Sequence, residues 1–112
     1  MTKDNLIYIH HILDAIELIN NFVRGKTILT FMEDRMCWSA VAHQIQIIGE
    51  AANQTDPFFR HDHPEIPWQD IVDTRHKIVH DYLDLDLEIL WDITQKDLPQ
   101  LHQQLSKLIP QT

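Results

Sequence analysis

The sequence predicts an all-α domain, an antiparallel bundle of four to five helices. Three observations carry this. Apolar residues recur three and four apart through most of the chain, the connections are short with recognisable caps and stops, and glycine is nearly absent. Only 2 of 112 residues are glycine, where average usage near 7% gives about eight. Tight hairpins lean on glycine, so a small β-sandwich or barrel is excluded. A glycine-rich phosphate loop is excluded too, since neither GxGxxG nor a GxxxxGK run occurs. The apolar fraction of 44% is ordinary for a globular protein, and a chain this long buries roughly two-thirds of its unfolded surface. Residues 1–112 are therefore read as one domain with a core that needs no disulfide or metal.

Taken in order, Leu6, Ile9, Ile12, Leu13, Ile16, Ile19 and Val23 mark one face of a first helix. Asp4 is its N-cap and Gly25 its stop. Thr27 caps a short turn over ILTFMED. A second long helix repeats the pattern at Trp38, Val41, Ile45, Ile48 and Ala52. The stretch NQTDPFFRHDHPEIP holds three of the five prolines and little periodicity, so it reads as a loop with at most one helical turn. Pro67 suits the first turn of the next helix, whose stripe is Ile71, Val72, Ile78 and Val79 and which stops at YLDLD. Asp86 caps the last helix, with Leu85 and Leu90 spaced as a hydrophobic staple. Pro99 either kinks that helix or divides it, the second part running through Leu101, Leu105, Leu108 and Ile109.

Nine Lys and Arg against seventeen Asp and Glu leave a net charge of −8. Such a chain has no general attraction for polyanions, so any nucleic-acid contact needs a local basic patch. The lone cysteine, Cys37, fits a reducing compartment. The N-terminal segment carries Lys3, Asp4 and Asp14 and lacks a small-residue cleavage site, so it does not read as a signal peptide. No apolar run approaches the length of a membrane span. A cytoplasmic protein is expected.

Most of the eight histidines have structural readings. Of His10 and His11 one packs and one is solvated. His43 is unassigned, His61 and His63 lie in the proline-rich loop, and His102 is on the polar face of the last helix. Arg75-His76-Lys77-Ile78-Val79-His80-Asp81-Tyr82 is different, since it gathers basic and titratable groups within an acidic chain. Arginine offers a fixed fork of donors to phosphate oxygens, and histidine exchanges a proton near neutrality. The structural alternative pairs Arg75 with Asp73 or another acidic neighbour and leaves His80 at a helix C-terminus. Geometry constrains the choice. Arg75 and His80 lie about 140° apart around one helix. His80 and Tyr82 share a side only if the chain leaves the helix near Val79–His80 and runs extended. A two-fold dimer could instead bring Arg75 of one chain to His80 of the other. Either way the group is expected at a helix end lining a cleft.

Arg75-x4-His80-x-Tyr82 resembles the R-x4-H-x-Y signature of the HepT-like toxins of the HEPN superfamily. Ile48-Gly49-Glu50-Ala51-Ala52, His63-Pro64-Glu65-Ile66-Pro67-Trp68 and Asp86-Leu87-Glu88-Ile89-Leu90-Trp91 are similar to segments of that family in the same order. The resemblance covers about Asp4 to Leu105. It implies a HEPN-type helical bundle that forms a two-fold dimer. It also implies a metal-independent endoribonuclease, with no cofactor, acting as the toxin of a type VII toxin–antitoxin pair. The implied partners are RNA and an MntA-like minimal nucleotidyltransferase that silences the toxin by adenylylating the signature tyrosine. By position, Arg75 and His80 are then the catalytic pair and Tyr82 the modification site. The sequence departs at His76, where the family most often has Asn. His76 is a candidate second proton-transfer group and Lys77 a phosphate contact. Arg35, Arg75, Lys77 and Arg24 are candidates for a basic rim across the dimer axis, while the bland reading of Arg24, Lys26, Arg35 and Arg60 is solvated surface.

Two other classes compete. A metal protein is suggested by His76 and His80 at i and i+4, with His61, His63 and Cys37 as further ligands, although no carboxylate occupies the zincin position. A non-catalytic helical module would use the same basic segment to dock a nucleotide or a partner.

Overall fold

The computed structural model describes residues 4–110. Lys3, counted above among the N-terminal charges, lies outside them, as do residues 111–112. Helix α1 spans Asn5–Val23. Asp4 starts it by accepting the Leu6 N–H at 3.1 Å. Gly25 ends it at φ 76°, a left-handed conformation that costs a residue with a Cβ. The apolar stripe from Ile9 to Val23 is the buried face. Helix α2, Ile28–Glu33, begins with a reciprocal cap: the Thr27 hydroxyl accepts the Thr30 N–H and the Thr30 hydroxyl accepts the Thr27 N–H.

Helix α3 runs Arg35–Gln54 under a cap from Asp34, which accepts the Cys37 N–H at 3.0 Å. Two contacts fix α1 and α3 as an antiparallel pair. The Cys37 thiol donates to the Phe22 carbonyl at one end (3.4 Å) and the Asp56 N–H donates to Asn5 Oδ1 at the other (2.8 Å).

The proline-rich stretch folds further than its composition predicts. Helix α4, Pro57–Asp62, occupies it, because Asp56 and Pro57 are a matched N-cap and first-turn pair, Asp56 accepting the Phe58 N–H at 2.8 Å. Arg60 from this helix is not solvated surface. Its guanidinium donates to the carbonyls of Ala52 and Thr55 and to the Thr55 hydroxyl, adding donors at the C-terminal end of α3.

Helix α5 is Trp68–His80, entered through buried Ile66 and a 2.9 Å bond from the Trp68 indole N–H to the His63 carbonyl. A 3₁₀ turn, Tyr82–Asp84, follows. Asp86 caps helix α6, Leu87–Asp92, by accepting the N–H groups of Glu88 and Ile89. Pro99 neither breaks nor sharply divides what comes next. Residues Ile93–Asp97 form a π-turn, with the Leu98 N–H reaching the Ile93 carbonyl, and helix α7 continues over Leu98–Ser106. The wider turn accommodates a residue that has no N–H to offer and whose ring crowds the preceding turn.

The domain is 21 Å thick along its shortest axis, two helix diameters of about 10 Å. Helix α3 is the centre, with α1 along one side and α5 along another, while α6 and α7 pack against α1, α2 and α3. Phe31 of α2 meets Trp91 of α6 with ring centroids 5.2 Å apart, and Ile12, Ile16, Val41, Ile48 and Leu105 have no more than 2% of their surface exposed. The bundle has the all-helical HEPN architecture expected, with the short α2 and α4 added to the long helices. None of the described helices is long and apolar enough to cross a membrane.

Candidate active site

Helix α5 carries Arg75 and His80 of the signature, and the 3₁₀ turn after its C-terminal end carries Tyr82. The helix persists through His80, with the Asp81 N–H bonded to the Lys77 carbonyl at 2.8 Å. The chain then tightens rather than extends: the Asp84 N–H reaches the Asp81 carbonyl at 2.8 Å, closing the 3₁₀ turn. No glycine or proline lies between Asp81 and Leu85 to open the backbone, so the period-two placement of His80 and Tyr82 is not used. Both side chains are nevertheless exposed at the same helix end, Tyr82 with 41% of its surface accessible.

Arg75 lies elsewhere on the helix. Its stem is pressed against α3 at Gly49, where an added Cβ would come within 2.3 Å of Arg75 Cβ and 2.8 Å of Cδ. One guanidinium nitrogen, Nη2, forms an ion pair with Glu50 Oε2 at 3.2 Å. Nε is buried and has no hydrogen-bond partner among the described residues. The acidic partner is thus Glu50, not Asp73, whose carboxylate accepts from the Gln69 amide at 2.8 Å. Residues two apart on a helix point to different sides. Among the described residues no hydrogen bond or ion pair joins Arg75 to His80. Within one chain the guanidinium pairs with Glu50 and the imidazole stacks on His76.

His76 stands one turn before His80, their rings parallel with centroids 6.2 Å apart. Lys77 turns to the other side, into a cavity of about 480 Å³ that Asp81, Asp84, Asp86 and Asp97 also line. A cleft does lie at the end of α5, but its wall is acidic and neither Arg75 nor His80 lines it. A phosphate would be repelled there.

The basic rim is not assembled in a single chain. Arg35 lies over the Trp38 ring, 5.8 Å from its centroid, and α3 separates it from Gly49 by fourteen residues, about 20 Å of helix. Arg24 donates to Asn21 at 2.9 Å, and Lys26 pairs with Asp34 at 2.9 Å.

The candidate metal ligands are also apart. His63 packs on Phe59 with centroids 4.6 Å apart and lies 3.5 Å from Glu65. The Cys37 thiol is buried and bonded to Phe22, and burial pushes its pKa up. Among the described residues no three His, Cys, Asp or Glu side chains are grouped to hold an ion. His10 and His11 are both exposed, His11 edge-on to Tyr8, and half-buried His102 approaches the Ser106 hydroxyl at 3.4 Å.

The roles of Gly49 and Glu50 beside Arg75 are not among those expected from the sequence, although both lie in the Ile48–Ala52 segment. The available signal is a glycine inside a helical pattern, which lowers helix stability and marks a close approach of another element.

An all-helical domain with this arrangement at the end of α5 belongs to a definite class. The family described as ribonuclease HepT-like matches residues 12–108, and the chain belongs to that family. It is 35% identical to a Thermococcus cleftensis protein named "Probable ribonuclease HepT", over 96% of this chain and 98% of the relative. It is also 35% identical to a Methanocaldococcus jannaschii protein named "Gamma-glutamylcyclotransferase and putative RNase", over 97% of this chain but only 49% of that relative, so it spans about half of that protein's length. No solved structure shows a significant match.

Proposed function

We propose that this chain is the toxin ribonuclease of a type VII toxin–antitoxin pair and cleaves RNA without a metal. In this reading two chains associate about a two-fold axis, so that Arg75 of one faces His80 of the other. The observation that carries it is the exposed end of α5. His80 and Tyr82 stand beside Val79, 45% exposed, and Leu83, 95% exposed. Apolar side chains left in water beside a half-assembled site are what a second copy would cover.

The chemistry needs no more than these groups. A ribose 2′-oxygen attacks the adjacent phosphorus and the bond to the 5′-oxygen breaks, leaving a 2′,3′-cyclic phosphate and a 5′-hydroxyl. His80 takes the proton from the 2′-hydroxyl or returns one to the departing 5′-oxygen, a role worth typically 10²–10⁴-fold. Arg75 stabilises the charge that grows on the non-bridging oxygens. Pairing two chains would also gather guanidinium and imidazole groups into one local field, which answers the objection of a −8 chain binding RNA. Adenylylation of Tyr82 by a nucleotidyltransferase would place a bulky anion beside that phosphate and close the site.

The test is RNA cleavage in EDTA by wild type, Arg75→Ala and His80→Ala. The expected result is cleavage by the first alone, and Tyr82→Phe should cleave yet escape silencing by the nucleotidyltransferase with ATP. Full activity of His80→Ala would remove the mechanism.

A further inference from the structure

We infer that Gly49 and Glu50 of α3 are positioning residues for Arg75: together they seat the guanidinium that the cleavage reaction uses. The inference rests on the ribonuclease reading above and extends it to a second helix.

Three independent features meet at one point. Gly49 gives Arg75 its seat, because any Cβ there would overlap three carbons of the arginine stem, the nearest at 2.3 Å. A glycine in the middle of α3 is unfavourable for the helix, so its place is explained by what it lets approach. Glu50 then draws the guanidinium to one side, its Oε2 paired with Nη2 at 3.2 Å. Finally, Arg75 Nε is buried without a partner. A desolvated donor with no acceptor disfavours the folded state, so the stem is held by packing against α3 rather than by its own hydrogen bonds.

The arrangement suits a transition-state contact. An arginine on a free stem samples many rotamers and loses that freedom on binding, whereas one already packed and pinned at a single edge does not. Glu50 engages Nη2 and leaves the other terminal nitrogen for a phosphate oxygen. The Glu50 side chain is 51% exposed and that of Arg75 31%, so the pair is too solvated to be a major source of stability. Its contribution is geometric.

Glu50→Ala should therefore lower kcat for RNA about ten- to a hundredfold with KM nearly unchanged and the melting temperature close to wild type. Glu50→Gln, which keeps the side-chain shape and offers an amide oxygen to Nη2, should restore most of the rate. A second readout is spectroscopic: the buried Arg75 Nε–H should exchange slowly with water in wild type and faster in Glu50→Ala. Gly49→Ala should mimic the kinetic defect, but the Glu50 pair decides the matter if that protein does not fold. A Glu50→Ala enzyme with wild-type or raised kcat would overturn the inference, as would equal loss in Glu50→Ala and Glu50→Gln. If Arg75→Ala and His80→Ala themselves cleave normally, it is the nuclease reading that has failed, and the inference falls with it.

Discussion

The imidazole of His76 lies parallel to that of His80, with 12° between the ring planes and 6.2 Å between centroids. The i, i+4 spacing on α5 produces this contact, since side chains one turn apart share a helix face. It bears on the position at which the sequence departs from the pattern that its resemblance implies, histidine standing for asparagine. A ring stacked on His80 restricts the rotamers His80 can adopt and so helps fix where its nitrogens point.

His76→Ala is accordingly expected to slow RNA cleavage by about tenfold, well short of the loss from His80→Ala. His76→Asn should recover part of the rate, because an amide also donates and accepts hydrogen bonds. Single-turnover rates of the three variants check this. A His76→Ala enzyme as inactive as His80→Ala would make His76 a proton-transfer group in its own right.

Arg75 offers a separation of function from stability. Its Nε is buried without a partner, and its ion pair with Glu50 is half in solvent. Replacing it by methionine, an apolar side chain of comparable length, removes the unsatisfied donor and keeps packing against Gly49. Removing such a donor is nearly neutral or stabilising, while the lost exposed pair costs at most about 1 kcal/mol. Arg75→Met should therefore unfold in urea within about 1 kcal/mol of wild type and yet cleave no RNA. A loss of more than about 3 kcal/mol would show that the guanidinium itself ties α5 to α3.

What could be read from the sequence divides by distance along the chain. Asp4, Thr27 and Asp86 each cap a helix as the sequence predicts, because a cap is a bond to a backbone N–H two or three residues on. The buried stripes of α1 and α3 are legible for the same reason, since helical periodicity alone selects the face. The partner of Arg75 is not. Glu50 lies on another helix, and its selection over nearby Asp73 depends on how α5 lies across α3 at Gly49. The exit from α5 also escapes local reading. YLDLD does stop the helix, but it contains no residue that forces an extended backbone, and the 3₁₀ turn satisfies the Asp84 N–H at once. Arg60 is legible as a charge and illegible as a cap, because the carbonyls it serves belong to the last turn of the preceding helix and to its C-cap, Thr55.

The link between Lys26 and Asp34 gives a stability dependence on pH. Asp34 holds two donors at once, Lys26 Nζ at 2.9 Å and the Cys37 N–H at 3.0 Å. The bond from Lys26 above all, then the Cys37 N–H, hold its carboxyl below the ordinary value of 3.8. The same bond raises the Lys26 ammonium above its ordinary 10.5. For a depressed carboxyl, the stability it contributes is fully present above the unfolded value and is lost as pH falls through the folded one. For a raised ammonium, the contribution is present below its unfolded value and is lost as pH climbs through the folded one. The pair should thus support folding across the whole neutral range and fail only at the two extremes. Asp34→Asn isolates this effect, because asparagine caps a helix as well as aspartate does but cannot pair with an ammonium. Urea midpoints of wild type and Asp34→Asn should differ by a constant amount from about pH 5 to pH 9 and converge as the solution is acidified below the carboxyl's ordinary value. If the two proteins differ equally at neutral and at strongly acidic pH, the wild-type advantage comes from the cap geometry and not from the charge pair.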